Sequence, residues 1–333
     1  LSGGVDSASL ASIAKKEFNY DVTTFSIIDS DPRYNEYENI KATINDLDCK
    51  SYLIDLKYDG MYERLKKLIN YHDSPIATIS YLVHSMLSQK ISEKGFKISI
   101  SGTSADELFT GYYDHFNLHL YEMRNHKNYK DYLKNWEKYT GRFIRNPYLK
   151  NPELYFNDQT IRSHNHLNSE YFNTFLLDDF SLKVNEENFS DSLLRNRMLN
   201  ELFHEATPVV LHEDDLNSMM YSVENRSPFL DFNLFDFAYK IPNELLINNG
   251  FGKFILRESV KNILNDKVRL DRKKKGFNAS MNSIFNFSNG SILDLFQDES
   301  PLYNLINKKK LMKLLQNPKF DNSYSKFMFN VLN

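Results

Sequence analysis

The feature that most constrains this chain stands at its start. Residues 2–7 read Ser2-Gly3-Gly4-Val5-Asp6-Ser7 and lead into Ala8, Leu10, Ala11, Ile13, Ala14 and Phe18, a helix-compatible apolar series. Two glycines that open a helix let the backbone approach an anion closely, and the free N–H groups and positive dipole end favour phosphate there. Ser2 and Ser7 add hydroxyl donors. Asp6 is the informative misfit, because a carboxylate repels phosphate unless a bridging Mg2+ turns that repulsion into attraction. The bland alternative is a glycine turn that caps a helix. No Lys directly follows the glycines, so this is not a Walker loop.

The segments that follow alternate between two periodicities. Val22–Ile28 is β-branched and predicts a strand, Asn35–Leu47 a helix, Ser51–Leu56 a second strand, and Met61–Tyr71 an amphipathic helix. Tyr81–Lys94 predicts a helix that stops at Gly95, and Lys97–Ser101 a third strand. Short apolar strands between helices point to an α/β fold, a doubly wound parallel sheet whose ligands sit at the carboxyl ends of strands. Residues 112–206 are rich in Tyr, Asn, Lys and His and read as a helical elaboration that includes Tyr129–Tyr139. From Pro208 the chain is again helical, with turns at Asn225–Pro228, Asn248–Gly250 and Lys275–Gly276.

Composition narrows the class. The 333 residues are 41% hydrophobic, 26% charged and 14% aromatic, a globular composition rather than a disordered one. Lys+Arg 41 against Asp+Glu 44 gives −3, so no global basic field argues for nucleic acid. The run at 272–275 is then a solvated face in preference to a nucleic-acid patch. The single cysteine, Cys49, excludes an internal disulfide and a cysteine-based zinc cluster, and reads as a buried small hydrophobe. No apolar run of about 18 residues and no signal peptide occur, so a cytoplasmic setting with no membrane partner is expected. His115 and His119 have metal-ligand spacing but no evident third ligand, which favours ordinary surface or core histidines.

A second motif follows the third strand: Ser101-Gly102-Thr103-Ser104-Ala105-Asp106-Glu107-Leu108-Phe109-Thr110-Gly111-Tyr112. Asp106 supplies a second carboxylate that complements Asp6. The bland alternative is a helix start with acids at its positive end. Residues 2–7 resemble the pyrophosphate loop of ATP pyrophosphatases, a superfamily of asparagine, GMP, NAD and argininosuccinate synthetases and tRNA thiolases. The second motif is similar to the SGEGADELFGGY segment of asparagine synthetases and their amidotransferase relatives. The stretch from Asp214-Asp215 through Ser218-Met219 to Glu224, Arg226 and Pro228-Phe229-Leu230-Asp231 resembles the family's D…SM…SVExRxPFLD. Gly250 to Arg257, around Lys253, matches its GxxKxxLR, and Arg272 to Phe277 its RxKxGF. The five blocks keep the family order across residues 2–277.

The resemblance implies one synthetase region over 1–333, of the adenine-nucleotide alpha-hydrolase-like (PP-loop) type. Its parts are a nucleotide-binding core over 1–111, a helical elaboration over 112–206, and a helical part over 207–333 that completes the substrate site. The implied reaction uses ATP and Mg2+ to adenylate a carboxylate, aspartate by resemblance, and ammonia then displaces AMP. Ser2, Gly3, Gly4, Asp6 and Ser7 hold pyrophosphate; Asp6 and Asp106 hold the metal. Leu1 and Ile27 line the nucleotide pocket, Ser101 and Gly102 contact AMP, and Lys253 neutralises charge. Glu224 and Arg226 either bind the acceptor or pair to organise the Pro228–Asp231 turn. Asp73, before Ser74-Pro75, either lies near the substrate or makes an Asx turn.

Three positions depart from the pattern. Thr103 replaces a glutamate, Ser104 a glycine and Thr110 a glycine. The adenylating half is intact while the acceptor half has changed, so an acceptor such as a sugar uronate is the alternative to aspartate. A tRNA-modifying enzyme and a non-catalytic interaction protein are the remaining readings. The family's long form carries an upstream glutaminase domain as its ammonia source. Cys49 is internal and cannot serve there, so a longer parent protein or use of free ammonia is expected. Because the loop must hang from a strand, Leu1 is expected to be that strand's last residue. A homodimer is left open.

Overall fold

The glycine-rich start passes directly into helix α1 (Val5–Lys16), with Asp6 in its first turn and Lys15 and Lys16 in its last, matching the helix dipole. This is seen in a computed structural model that describes residues 1–32, 34–57, 59–144, 146–157, 169–178, 185–273, 279, 281–285, 294–297, 299–316 and 322–333. Strand β1 (Thr23–Ile28), helix α2 (Tyr37–Leu47) and strand β2 (Lys50–Asp55) form a parallel crossover unit, in register from Thr23↔Lys50 to Ile28↔Asp55. Helices α3 (Met61–His72) and α4 (Ile79–Glu93) follow. Gly95 ends the second of these in the left-handed region, φ +83, as a C-terminal glycine should. These bounds lie within two residues of those expected.

Strand β3 (Ile98–Ile100) leads to the short helix α5 (Ala105–Phe109). The elements described between there and residue 206 are helical: α6 (Tyr113–Glu122), α7 (Tyr129–Tyr139), α8 (Pro152–Asn157), α9 (Ser169–Asn173), α10 (Leu193–Phe203) and short 3-10 turns. Helix α11 (Ala206–Met219) then runs into strand β4 (Glu224–Arg226), where a turn from Asn225 is expected. The structure corrects this. β4 pairs parallel with β3, Ile98↔Glu224 to Ile100↔Arg226, and Glu224 N donates to Lys97 O at 2.8 Å. The polar triplet has no strand propensity of its own; the ladder offered by its neighbour overrides it. Helices α12 (Phe232–Tyr239), α13 (Phe254–Ser259), α14 (Asp266–Arg269), α15 (Met281–Ile284), α16 (Lys308–Gln316) and α17 (Asn322–Leu332) complete the described elements. The expected turn at Asn248–Gly250 is present, closed by Phe251 N to Asn248 O at 2.8 Å. Lys275–Gly276, and with it most of the last family block, lies outside the described residues.

The described residues thus form an α/β structure, mostly helical, with two separate two-stranded parallel sheets. Two apolar clusters support it. The first joins Ile27 with Leu65, Leu68 and Leu82 and with Leu311, Met328 and Phe329 of the last two helices. The second joins Val5 and Ala8 with Leu108, Leu118, Leu194 and Leu256. It locks α1, α5 and α13 together, and so fixes the starts of the three segments that carry Asp6, Asp106 and Lys253. Cys49 is half-buried rather than buried, and the burial it has pushes its thiol pKa up. No described helix is long and apolar enough to cross a membrane.

Candidate active site

The opening loop is held by its own hydroxyls. Ser2 N donates to Ser7 Oγ at 3.0 Å, the two hydroxyl oxygens lie 3.0 Å apart, and Gly4 N reaches Ser2 Oγ at 3.3 Å. Gly102 brings the second motif flush against it. A Cβ there would stand 2.9 Å from both Asp6 Cβ and Ser7 N, so only glycine permits this approach. Gly111 is constrained in the same way, since a Cβ would fall 1.3 Å from Asp106 Oδ1.

These approaches bring three distant residues to one point. Lys253 Nζ lies 2.6 Å from Asp6 Oδ2 and 2.8 Å from Asp106 Oδ1. The lysine is buried. Burial works against its charge, but Asp106 and Asp6 outweigh that and leave its pKa above the usual lysine value. Its backbone is left-handed, φ +54, and its N–H is shared between Phe109 O and Thr110 O, both at 3.1 Å. A non-glycine residue held there marks a position that the surroundings impose. Half-buried Arg257, one turn further, donates from Nε to Gly252 O at 3.0 Å. Burial lowers its pKa and the Asp6 carboxylate opposes that.

The remaining expected residues fall in several places. Leu1 N donates to Phe25 O at 2.6 Å, while Ile27 is buried in the first apolar cluster. Ser101 Oγ contacts Thr103 Oγ1 at 2.9 Å and Ser227 Oγ at 3.2 Å, a hydroxyl cluster at the carboxyl ends of β3 and β4. Glu224 and Arg226 pair with each other at 2.9 Å, both more than half exposed. The turn after them ends at Asp231, which N-caps α12: its Oδ1 accepts from Asn233 N and Leu234 N. Asp73 ends α3 in the left-handed region, φ +53, and is exposed. His115 and His119 are core residues that diverge. His115 Nε2 meets Glu201 Oε2 at 2.6 Å, and His119 Nε2 meets Asn243 O at 3.0 Å. Burial lowers the His119 pKa to about 4. Arg272 is exposed, as a solvated face requires, and its guanidinium lies 3.8 Å from the Phe251 ring centre and 4.1 Å from the Tyr139 ring centre.

Residues that sequence reasoning did not single out also stand here. Glu36 Oε2 accepts from Gly3 N at 2.9 Å, and nothing local distinguishes this acid from any other at a helix start. Glu107 is buried beside Asp106 and accepts from Tyr112 OH at 2.5 Å. Burial, and then the Asp106 charge, raise its pKa to about 7. Its place inside the second motif was the available signal.

The profile of the family described as Asparagine synthase matches residues 1–332, and the chain belongs to that family. It is 27% identical to asparagine synthetase [glutamine-hydrolyzing] 1 of Bacillus subtilis (strain 168), over 97% of this chain and 53% of that protein. It is 23% identical to amidase chyE of Penicillium rubens, over 80% of this chain and 47% of that protein. A putative asparagine synthetase [glutamine-hydrolyzing] of Mycobacterium tuberculosis (strain ATCC 25618 / H37Rv) is 25% identical over 83% of this chain and 44% of its own length. The chain spans about half the length of these relatives.

Proposed function

We propose that the chain is the synthetase part of an ATP-dependent amide-forming ligase. The observation that carries this is the meeting of Asp6 and Asp106 on Lys253 beside a glycine-rich helix start. In this reading the substrate carboxylate attacks the α-phosphate of ATP and pyrophosphate leaves. Ammonia then attacks the acyl adenylate, forms the amide, and releases AMP and a proton. Residues 2–7 cradle the departing pyrophosphate with backbone N–H groups and the Ser2 and Ser7 hydroxyls. Ser101 and Gly102 orient the AMP half. Lys253 supplies positive charge in a water-poor position, where it counts for more than in bulk solvent.

The donor set suits Mg2+: two carboxylates, from α1 and α5, converge on the Lys253 ammonium, and they become available to the metal when that flexible side chain turns to the phosphates. When bound, the metal neutralises the charge that develops on the leaving pyrophosphate. The same reading joins the two parallel pairs into one doubly wound sheet of PP-loop type, with 1–111 as its nucleotide core, 112–206 as a helical cover and 207–333 as the part that completes the site. It takes its ammonia from a glutaminase domain, as the names of the glutamine-hydrolysing relatives suggest, in a cytoplasmic setting.

Aspartate is the acceptor that the family favours. One observation supports a second reading. Thr103 stands where the similar motif has glutamate, and its hydroxyl is turned to Ser101 at 2.9 Å. Threonine is no base at neutral pH, so a different carboxylate, such as a sugar uronate, is the runner-up. ATP–PPi exchange measured over a panel of carboxylates separates the two. Exchange with aspartate together with asparagine formation establishes the first; exchange with another acid alone establishes the second. Asp6→Ala removes exchange in either case, and its survival in that variant would overturn the metal and pyrophosphate assignment.

A further inference from the structure

Glu36 seats a negative charge on the phosphate loop from within the chain. The Gly3 N–H, which the reading above gives to pyrophosphate, donates to Glu36 Oε2 at 2.9 Å. The contact is built in by packing. Glu36 is the N-cap residue of α2, and a Cβ on Gly3 would stand 2.8 Å from Glu36 Cβ, so the helix start and the loop lie as close as backbone allows. Three residues on, Asn39 Nδ2 donates to Gly3 O at 3.1 Å and to Asp271 Oδ2 at 2.9 Å. The first turn of α2 therefore grips Gly3 at both its donor and its acceptor. A carboxylate resembles a phosphate oxygen pair in charge and in hydrogen-bonding capacity, and an N–H at a helix start is where either is favoured.

We propose that Glu36 is the resident counter-ion of the phosphate loop: it occupies the Gly3 N–H before nucleotide arrives and competes with pyrophosphate for it. The proposal rests on the reading of residues 2–7 as a pyrophosphate site. One consequence follows. Metal-free pyrophosphate binds more weakly than the loop alone would allow, because it must displace one anion and approach another.

The test is titration calorimetry of the whole chain with inorganic pyrophosphate in the absence of Mg2+. Glu36→Gln keeps the size of the side chain and removes its charge; it is expected to bind pyrophosphate about tenfold more tightly than the parent chain. Glu36→Asp retracts the charge from the N–H and is expected to fall between the two, which keeps the proposal testable if the first variant folds poorly. Affinity in both variants that is equal to or weaker than the parent's, at unchanged melting temperature, overturns the proposal and makes Glu36 a mere anchor. Ser7→Ala separates the two levels. If it weakens pyrophosphate binding while the Glu36 variants do not tighten it, the loop reading stands and this inference fails. If the parent chain and all variants bind no pyrophosphate, both fail.

Discussion

Lys253 and Arg197 are both buried cations set among carboxylates, yet their settings differ. Arg197 Nε lies 2.8 Å from Glu201 and 3.5 Å from Asp114, and Nη1 lies 2.7 Å from Glu186; Nη2 is bound to Glu205. Burial acts against this guanidinium, but Glu205, Glu201 and Asp114 outweigh it and hold it charged. Three of the four acids lie on α10 or within 11 positions of Arg197, so one helix and its flanks build the cluster. All sides of the planar fork are engaged, which suits a fixed tie between α6 and α10. Asp114, His115 and Glu201 do bring potential ligand atoms within 4.8 Å of one another, but the guanidinium already stands among them. Lys253 differs in each respect. Its partner Asp6 lies 247 positions away, its ammonium has no preferred plane, and its backbone is left-handed. A point charge on a flexible stem can change partners when a phosphate arrives; a saturated guanidinium cannot.

Substitution should separate the two most sharply. Arg197→Met strands buried acids and is expected to cost about 3–5 kcal/mol in urea unfolding, with any activity of the surviving folded fraction retained. Lys253→Met is expected to reduce ATP–PPi exchange by about 10²–10³-fold while costing clearly less stability. The contrast breaks if Lys253→Met proves the more destabilising of the pair.

Much of the frame was legible because local signals agree there. Apolar periodicity and the glycine after α4 marked the elements from α1 to β3. β4 was not legible, since Glu-Asn-Arg becomes a strand only beside β3. The motifs named Asp6 and Asp106 as a carboxylate pair for a metal and Lys253 as a neutralising charge, but not the contact of the lysine with both acids. Their meeting depends on Gly102 letting the second motif touch the loop backbone and on Gly111 leaving room for the Asp106 carboxylate, a tertiary fact that spacing does not encode. Burial was the hardest property to read. Glu107 looks like an ordinary helix-start acid yet is buried, and the partner of buried His115 is Glu201, 86 positions away.

Glu107 sharpens the comparison through pH. The Arg197 cluster pairs each acid with a cation, whereas burial beside Asp106, itself an acid, raises the Glu107 pKa from 4.5 to about 7. In that window the folded chain binds a proton that the unfolded chain has lost, so stability falls as pH rises from 4.5 towards 7 and levels off above. Glu107→Gln should remove this part of the slope, an effect on the order of 3 kcal/mol by linkage. Urea midpoints across that range check it. A slope unchanged in the variant places the titration elsewhere.

The smallest effect tests where strain resides. Arg197 and its four acids have no positive φ, while Ser104, Thr110 and Lys253 are at +71, +70 and +54. Ser104 and Thr110 are also the positions where the similar motif has glycine. Thr110 is buried, and its hydroxyl donates to Leu246 O at 3.1 Å while its carbonyl receives the Lys253 N–H. Thr110→Gly and Thr110→Ala both lose that hydroxyl bond, but only glycine relieves the Cβ clash of a left-handed backbone, about 1–2 kcal/mol. Glycine's larger unfolded-state entropy offsets part of this. Thr110→Gly is therefore expected to be more stable than Thr110→Ala by about 1 kcal/mol. Equal midpoints for the two variants would mean that the backbone beneath Lys253 is relaxed, and the contrast with Arg197 would then rest on charge alone.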